Sequence, residues 1–237
     1  LFPEMLQTLQ YGVIGRAIDN NFISINAINP RKFTQDTHKT VDDRPYGGGP
    51  GMVMQYEPLV ASIKAAKSHS HATCPVIYLS PQGKPLTQDH VNELAQLPEI
   101  ILLAGRYEGI DQRVIDQHVD AELSVGDYVV SGGELPAMLL VDAVTRMLPN
   151  TLGDDQSNQQ DSFIQPYFDH PHYTRPECID GYRVPEVLLS GDHKAIANWR
   201  LKESLGKTWQ KRKDLLKRRT LTRIEQDALQ QAQQELE

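Results

Sequence analysis

The sequence predicts an α/β domain built on a mostly parallel sheet, followed by a small helical domain at the C-terminal end. Three observations lead there. Short apolar runs at 76–79, 100–104 and 121–124 alternate with helix-compatible stretches, and strand, helix, strand is the pattern of a parallel sheet. Glycine-studded segments leave the ends of the second and third runs. After Pro149 the composition changes abruptly.

Taken in order, Phe22 to Ile28 alternates and is rich in isoleucine, which predicts a strand. From Asn29 to Gly51 there are too many Pro, Gly and Asp residues for regular structure, so this reads as a long loop of the kind that is usually functional. Residues 58–67 suit a helix. Val76 to Leu79 is a strand ending at Ser80-Pro81, and Ile100 to Ala104 is another ending at Gly105. Between them Thr87 caps a helix to about Leu97, stopped by Pro98. A helix from Asp111 to Gln117 precedes a strand from Ala121 to Ser124. Glu134 to Met147 is a further helix, with Pro136 tolerated in its first turn. Beyond Leu152 the stretch to Asp161 has no apolar residue and reads as a flexible linker. Asp192 starts a helix to about Leu205, and Thr222 with Glu225 forms a capping box for the last one. The resulting division is a domain over 1–151, a linker over 152–165 and a helical domain over 166–237.

A chain of 237 residues can bury a substantial core. No apolar run approaches the roughly 18 residues of a membrane span, and no signal peptide is expected, although the sequence begins at Leu1 without an initiator methionine. With Cys74 and Cys178 as the only cysteines, a reduced, cytoplasmic protein is expected. The net charge of -7 argues against a polyanionic partner until its distribution is read. Lys194 to Arg223 holds eleven of the 24 Lys and Arg residues against two acids, so this stretch carries +9 and the remainder -16. A charge run is often only a solvated helical face. Here it is interleaved with Trp199 and Trp209, a combination that suits a strand of RNA.

The chemistry-bearing segments are Gly105-Arg106-Tyr107-Glu108-Gly109-Ile110-Asp111 and Val125-Gly126-Asp127-Tyr128-Val129-Val130-Ser131-Gly132-Gly133-Glu134-Leu135-Pro136. Glycine at a strand end allows positive φ and close approach of a ligand to the main chain, and Tyr107 and Tyr128 offer flat faces to a ring. Ordinary tight turns use glycine in the same way. The ligand reading places a nucleoside pocket outside the carboxyl ends of the strands. Gly47-Gly48-Gly49-Pro50-Gly51 lacks the Gly-Lys-Ser/Thr ending of a phosphate loop and fails the dinucleotide spacing at Met52, so it reads as a mobile loop beside the pocket. His69 and His71 with Cys74, or His170 and His172 with Cys178, lack paired-cysteine spacing and read as surface or hydrogen-bonding histidines rather than zinc ligands.

These two loops resemble the cofactor loops of the bacterial tRNA (guanine-N1)-methyltransferase family, TrmD type, as does Tyr78-Leu79-Ser80-Pro81-Gln82-Gly83. The resemblance extends through Leu1-Phe2-Pro3-Glu4-Met5, residues 41–52 (Val41 to Met52), Pro171-His172-Tyr173-Thr174-Arg175-Pro176 and Trp199-Arg200-Leu201-Lys202, nearly the whole chain. It implies a short apolar strand ahead of Leu1, a deep trefoil knot of the SPOUT class that no periodicity reveals, and a homodimer in which the loops of one subunit face the linker and C-terminal domain of the other. It implies transfer of a methyl group from S-adenosylmethionine to N1 of guanosine 37 of tRNA.

By the same resemblance the cofactor is held by Tyr78, Leu79, Ser80 and Pro81, by Gly105, Tyr107 and Glu108, and by Ser124, Val125, Gly126, Asp127, Tyr128, Val129, Val130, Gly132, Gly133 and Pro136. Glu108 suits the sulfonium, the methionine amino group or a Mg2+ ion, and the sequence leaves these alternatives open. Taken alone, Asp161 is a solvated linker carboxylate and Arg146 an arginine answering a helix dipole. The resemblance makes Asp161, in Asp161-Ser162-Phe163, the base that takes the N1 proton, with Asp169 as its rival, and makes Arg146 the functional arginine. Contacts to tRNA are expected from Asp169, His172, Arg175, Lys202, Lys207, Lys211 and Arg212.

Overall fold

A computed structural model describes residues 1–70, 73–153 and 161–236. The chain divides into two compact units, Leu1–Asp155 and Gln156–Glu237. The middle of the expected linker, 154–160, lies outside the described residues, as does His71.

The first unit opens with a 3-10 helix, Pro3–Gln10, followed by α1 (Gly12–Asp19). Phe22 to Ile28 forms no strand: among the described residues no other segment pairs its backbone with it. The alternation is real, since Ile23 and Ile25 are partly covered while Ser24 and Asn26 are exposed. Alternation specifies which side is buried, but a strand also needs a neighbour's backbone groups. The long loop holds more structure than expected. Asn29 accepts a bond from the Arg31 N–H at 3.0 Å and caps a 3-10 turn, Pro30–Phe33. Farther on, β1 (Asp42–Asp43) pairs antiparallel with β2 (Val53–Met54).

Next come α2 (Tyr56–Lys67), β3 (Val76–Pro85), α3 (Gln88–Leu94), β4 (Ile101–Ala104), α4 (Gln112–His118), β5 (Ala121–Ser124) and α5 (Glu134–Thr145). The sheet order is β4-β3-β5, and both pairings are parallel. Being central, β3 buries side chains on both faces. Val76 and Tyr78 pack with Leu103, Met54, Leu59, Ile63 and Val114 on one side; Ile77 and Leu79 pack with Leu123, Ala137 and Leu140 on the other. Thr87 caps α3 as expected, in a box whose second member is His90 rather than an acid. That helix ends a turn before Leu97 because the chain tightens into three-residue turns, Gln96 N–H to Glu93 O at 3.2 Å and Leu97 N–H to Leu94 O at 3.1 Å, as it nears Pro98. Met147, expected inside α5, lies beyond it in a turn closed by its N–H on Val144 O at 3.0 Å.

The second unit starts with a hairpin, β6 (Cys178–Ile179) and β7 (Tyr182–Arg183), turned through Asp180 and Gly181 at φ 51° and 84°. Three helices follow: α6 (Glu186–Leu189), α7 (His193–Lys211) and α8 (Arg223–Leu236). Asp192 caps α7 by accepting from the N–H groups of Lys194 and Ala195, both at 3.0 Å. The helix runs six residues past the predicted end at Leu205. Gly206 does not stop it, because that glycine is a contact point: a Cβ there would sit 2.9 Å from the Ala232 Cβ of α8.

The Thr222–Glu225 box is complete, with the Glu225 carboxylate accepting from Thr222 N–H at 2.8 Å and from Thr222 Oγ1 at 2.8 Å. Arg219 also bonds Glu225 and, with burial opposing, holds its carboxyl down to about 2. A carboxylate depressed in the folded state stabilises above its unfolded pKa, and that contribution fades as pH falls through the folded value. We expect helicity of the second unit to fall between about pH 4.5 and about pH 2, followed by circular dichroism. Glu225→Gln should begin less stable at neutral pH and show a shallower acid transition.

Candidate active site

At the carboxyl end of the sheet three loops are knitted together by backbone bonds. β3 pairs with β5 twice, first through Ile77 to Leu79 and again through Lys84 and Pro85, and the register shifts between Leu79 and Lys84. Ser80 to Gly83 therefore form a bulge, a device that re-aims backbone beside ligand sites. Its first turn is held by Gln82 N–H donating to Ser80 Oγ at 3.1 Å. Ser80 is buried, as are Tyr78 and Leu79 beneath it.

The loop after β4 lies over the Tyr78 ring. A Cβ on Gly105 would stand 2.9 Å from two atoms of that ring, so only glycine fits there. Tyr107 takes φ 60° and exposes its ring, with 46% of its surface accessible. Glu108 and Gly109 are tied to the glycine-rich segment before β2: Glu108 N–H donates to Met52 O, and Met54 N–H to Gly109 O, both at 3.0 Å. Gly51 lies directly against the Glu108 side chain. Gly51, the last residue of the segment 47–51, thus lies against the β4 loop.

The loop after β5 closes onto the same place. Gly133 N–H donates to Gly105 O at 2.7 Å, and a Cβ on Gly133 would meet Ala104 Cα at 2.7 Å. Ser124 is buried and its Oγ accepts from Gly126 N–H at 3.2 Å. The edge of the Tyr128 ring packs on Gly126, while 57% of the residue stays accessible. Val129 and Val130 are exposed and Asp127 lies between these rings and glycines in the chain; Pro136 is buried in the first turn of α5. Exposed rings and aliphatic tips above a floor of glycine backbone suit a flat heterocycle.

One pair escaped the sequence reading. Arg106 Nε lies 3.0 Å from Glu134 Oε2, with Glu134 5% exposed, so a nearly buried ion pair ties the β4 loop to the start of α5. Burial alone would push the Glu134 carboxyl up, but Arg106 and the residue's own N–H hold it below the usual carboxylate range. The available signal was positional: Arg106 directly follows Gly105 in one glycine loop and Glu134 directly follows Gly132-Gly133 in the other, with opposite charge.

The remaining predicted residues fall in separate places. Arg146 caps the end of α5 in the first unit, and Asp161 belongs to the second. Asp169 is held by two imidazoles: its Oδ1 lies 2.7 Å from His170 Nδ1 and its Oδ2 2.7 Å from His172 Nε2. Burial raises this carboxyl, but the His172 bond, the His170 N–H and the two rings more than offset it and keep it below its ordinary value. Burial pushes His170 down. His172 and Arg175 line a cavity of about 440 Å³ with Tyr173, whose ring centroid lies 6.3 Å from that of Trp199, and Arg200. Lys202 and Lys207 line a smaller one of about 250 Å³ between α7 and α8. Lys202 is engaged by Glu235 and, at 3.6 Å, by Glu203. Arg212 is paired with Asp214 at 2.8 Å, while Lys211 is exposed and Lys213 stands 4.2 Å over the Trp209 ring. The basic run is therefore partly neutralised within the unit.

The chain combines a parallel-sheet α/β unit, with three glycine-rich loops at the sheet's carboxyl end, and a helical unit that carries the basic run 194–223. The chain belongs to the family described as tRNA (Guanine-1)-methyltransferase TrmD, whose model matches residues 1–218. It is 58% identical over 229 residues to a tRNA (guanine-N(1)-)-methyltransferase of Coxiella burnetii, covering 97% of this chain and 93% of that one. Proteins of the same description from Pseudoalteromonas atlantica and Aeromonas salmonicida are 56% and 57% identical, covering 100% and 97% of this chain and 89% and 92% of theirs.

Proposed function

We propose that this chain methylates N1 of guanosine 37 in tRNA, with S-adenosylmethionine as methyl donor. The observation that carries the reading is the knitted set of three loops at the sheet's carboxyl end in a chain of this family. The donor supplies an electrophilic methyl group on a sulfonium. The residues to hold it are those of the Ser80 bulge and the Gly105 and Ser124 loops, where Gly105 and Gly133 pack too closely on Tyr78 and Ala104 to carry a Cβ and Tyr107 and Tyr128 expose ring surface. We read the three-stranded parallel sheet as the centre of a deep trefoil knot. Mg2+, which is held through one or two carboxylates plus water and substrate oxygens, would be served by Glu108.

Guanine N1 holds its proton at neutral pH, so attack requires a base. Asp161 takes that role in our reading, as the family resemblance implies, while both oxygens of Asp169 lie 2.7 Å from imidazole nitrogens. Arg146 stabilises the charge that spreads toward O6. The basic face of α7 and the segment 169–175 hold the tRNA, and the target guanine leaves its stack to be reached.

A homodimer completes the reading. Leu135 and Leu139 lie four residues apart on α5 and are 51% and 47% exposed, an apolar stripe suited to the same stripe on a second copy. Among the described residues no helix is long and apolar enough to cross a membrane, and both cysteines are free, which supports a cytoplasmic setting.

The test is methylation of tRNA carrying guanosine or adenosine at position 37, followed by nucleoside analysis. N1-methylguanosine should form only with the first. A product methylated on ribose would move the chain to another knotted methyltransferase class, and absence of both product and donor binding by calorimetry would make it a non-catalytic RNA-binding protein.

A further inference from the structure

Within four consecutive residues, Asp169-His170-Pro171-His172, three donors converge. His170 Nδ1 and His172 Nε2 each stand 2.7 Å from a different oxygen of Asp169, the two ring centroids are 4.5 Å apart, and the donor atoms all lie within 4.8 Å of one another. The arrangement is braced. Phe168 N–H donates to Thr208 Oγ1 at 2.8 Å and Asp169 N–H to Ser162 Oγ at 2.9 Å, which fixes the segment against α7 and holds the carboxylate in place. His170 N–H donates to Asp169 Oδ1 at 2.7 Å.

We infer that Asp169, His170 and His172 form a site for a borderline transition-metal ion of the zinc class. Two imidazoles and one carboxylate match zinc or cobalt and not magnesium, whose ligands are oxygens. Donors of a tetrahedral site with bonds near 2.1 Å stand about 3.4 Å apart, so separating the present 2.7 Å contacts by under 1 Å, with loss of the two bridging protons, admits the ion. Three protein ligands leave a fourth position, and His170 and His172 line the cavity of about 440 Å³ into which it opens. Cys178, the partner that spacing alone suggested for these histidines, is not in the cluster. This site is separate from any magnesium ion at Glu108.

The experiment is a Co2+ titration of the full chain without a histidine tag, read by the visible absorption of four-coordinate cobalt, with Zn2+ as competitor. One equivalent per chain is expected, displaced by Zn2+. Cys178→Ser should leave it unchanged, whereas His172→Ala, at a position 70% exposed and so compatible with folding, and Asp169→Asn should each weaken it at least tenfold. Absence of the band, its survival in both His172→Ala and Asp169→Asn, or its loss with Cys178→Ser overturns the site. Resting on the proposed function, an ion there withholds Asp169 and His172 from RNA, so Zn2+ should raise the KM for tRNA. Cobalt binding is read without any RNA, so failure of the metal site and failure of the methylation reading remain distinct.

Discussion

Asp161→Ala should lower single-turnover methyl transfer by about 100- to 10,000-fold, the range over which a positioned general base acts. The reason is chemical. The lone pair of guanine N1 that must attack the methyl group is engaged in an N–H bond, so the step waits for proton removal. A carboxylate at Asp161 does this locally, and without it solvent must. The residual rate of the variant should therefore climb with pH as free guanine N1 ionises, while the parent enzyme, already supplied with a base, climbs less. Donor affinity measured by calorimetry should stay within about twofold, since Asp161 is proposed to act on the guanine proton and not among the residues that hold the donor. Unchanged turnover would remove Asp161 from the mechanism.

The rival aspartate gives the internal comparison. Asp169 is hydrogen-bonded to His172 Nε2 and accepts from the His170 N–H, both at 2.7 Å, with His170 Nδ1 also 2.7 Å away, and these contacts favour its ionised form. A carboxylate stabilised in that way is a poorer proton acceptor and a better fixed acceptor for a donor on RNA. Asp169→Asn should accordingly act more on tRNA KM than on the chemical step, the reverse of Asp161→Ala.

Legibility followed the physical source of each signal. β4 and β5 were readable to within a residue, because each is a short run between a helix-compatible stretch and a glycine-rich loop. The cap at Thr87 and the capping box at Thr222 were readable because each is made within the first turn of its own helix, though the His90 partner of Thr87 was not. What depended on a distant partner was not. The bulge that extends β3 to Pro85 is set by Leu123 and Ser124, and the continuation of α7 past Gly206 is set by Ala232. Phe22 to Ile28 failed in the opposite direction, with the pattern of a strand and no strand beside it. The Asp180-Gly181 turn was a local signal that was passed over, since Asp-Gly is a strong hairpin mark. For the site, the glycines of the Gly105 and Gly133 loops were legible as close-approach positions, whereas the Arg106–Glu134 pair joins residues 28 apart in sequence.

The same distinction sets the second large effect, on tRNA binding. Replacing Lys211, Arg212 and Lys213 together by Ala should weaken the complex and flatten its salt dependence. Counting charges alone predicts three lost phosphate contacts. The structure lowers that number, because Arg212 is bonded to Asp214 through two contacts of 2.8 Å, and removing Arg212 releases an acid while deleting a base. Lys213, over the Trp209 ring, keeps its charge and remains exposed beside Lys211. Two contacts at roughly 0.8 counterion each change the slope of log K against log salt by about 1.6, so the loss of affinity between 50 and 200 mM salt should be about tenfold smaller than in the parent. Arg212→Ala alone should leave the slope nearly unchanged. A triple variant whose slope equals the parent's would mean that this end of α7 faces water rather than RNA.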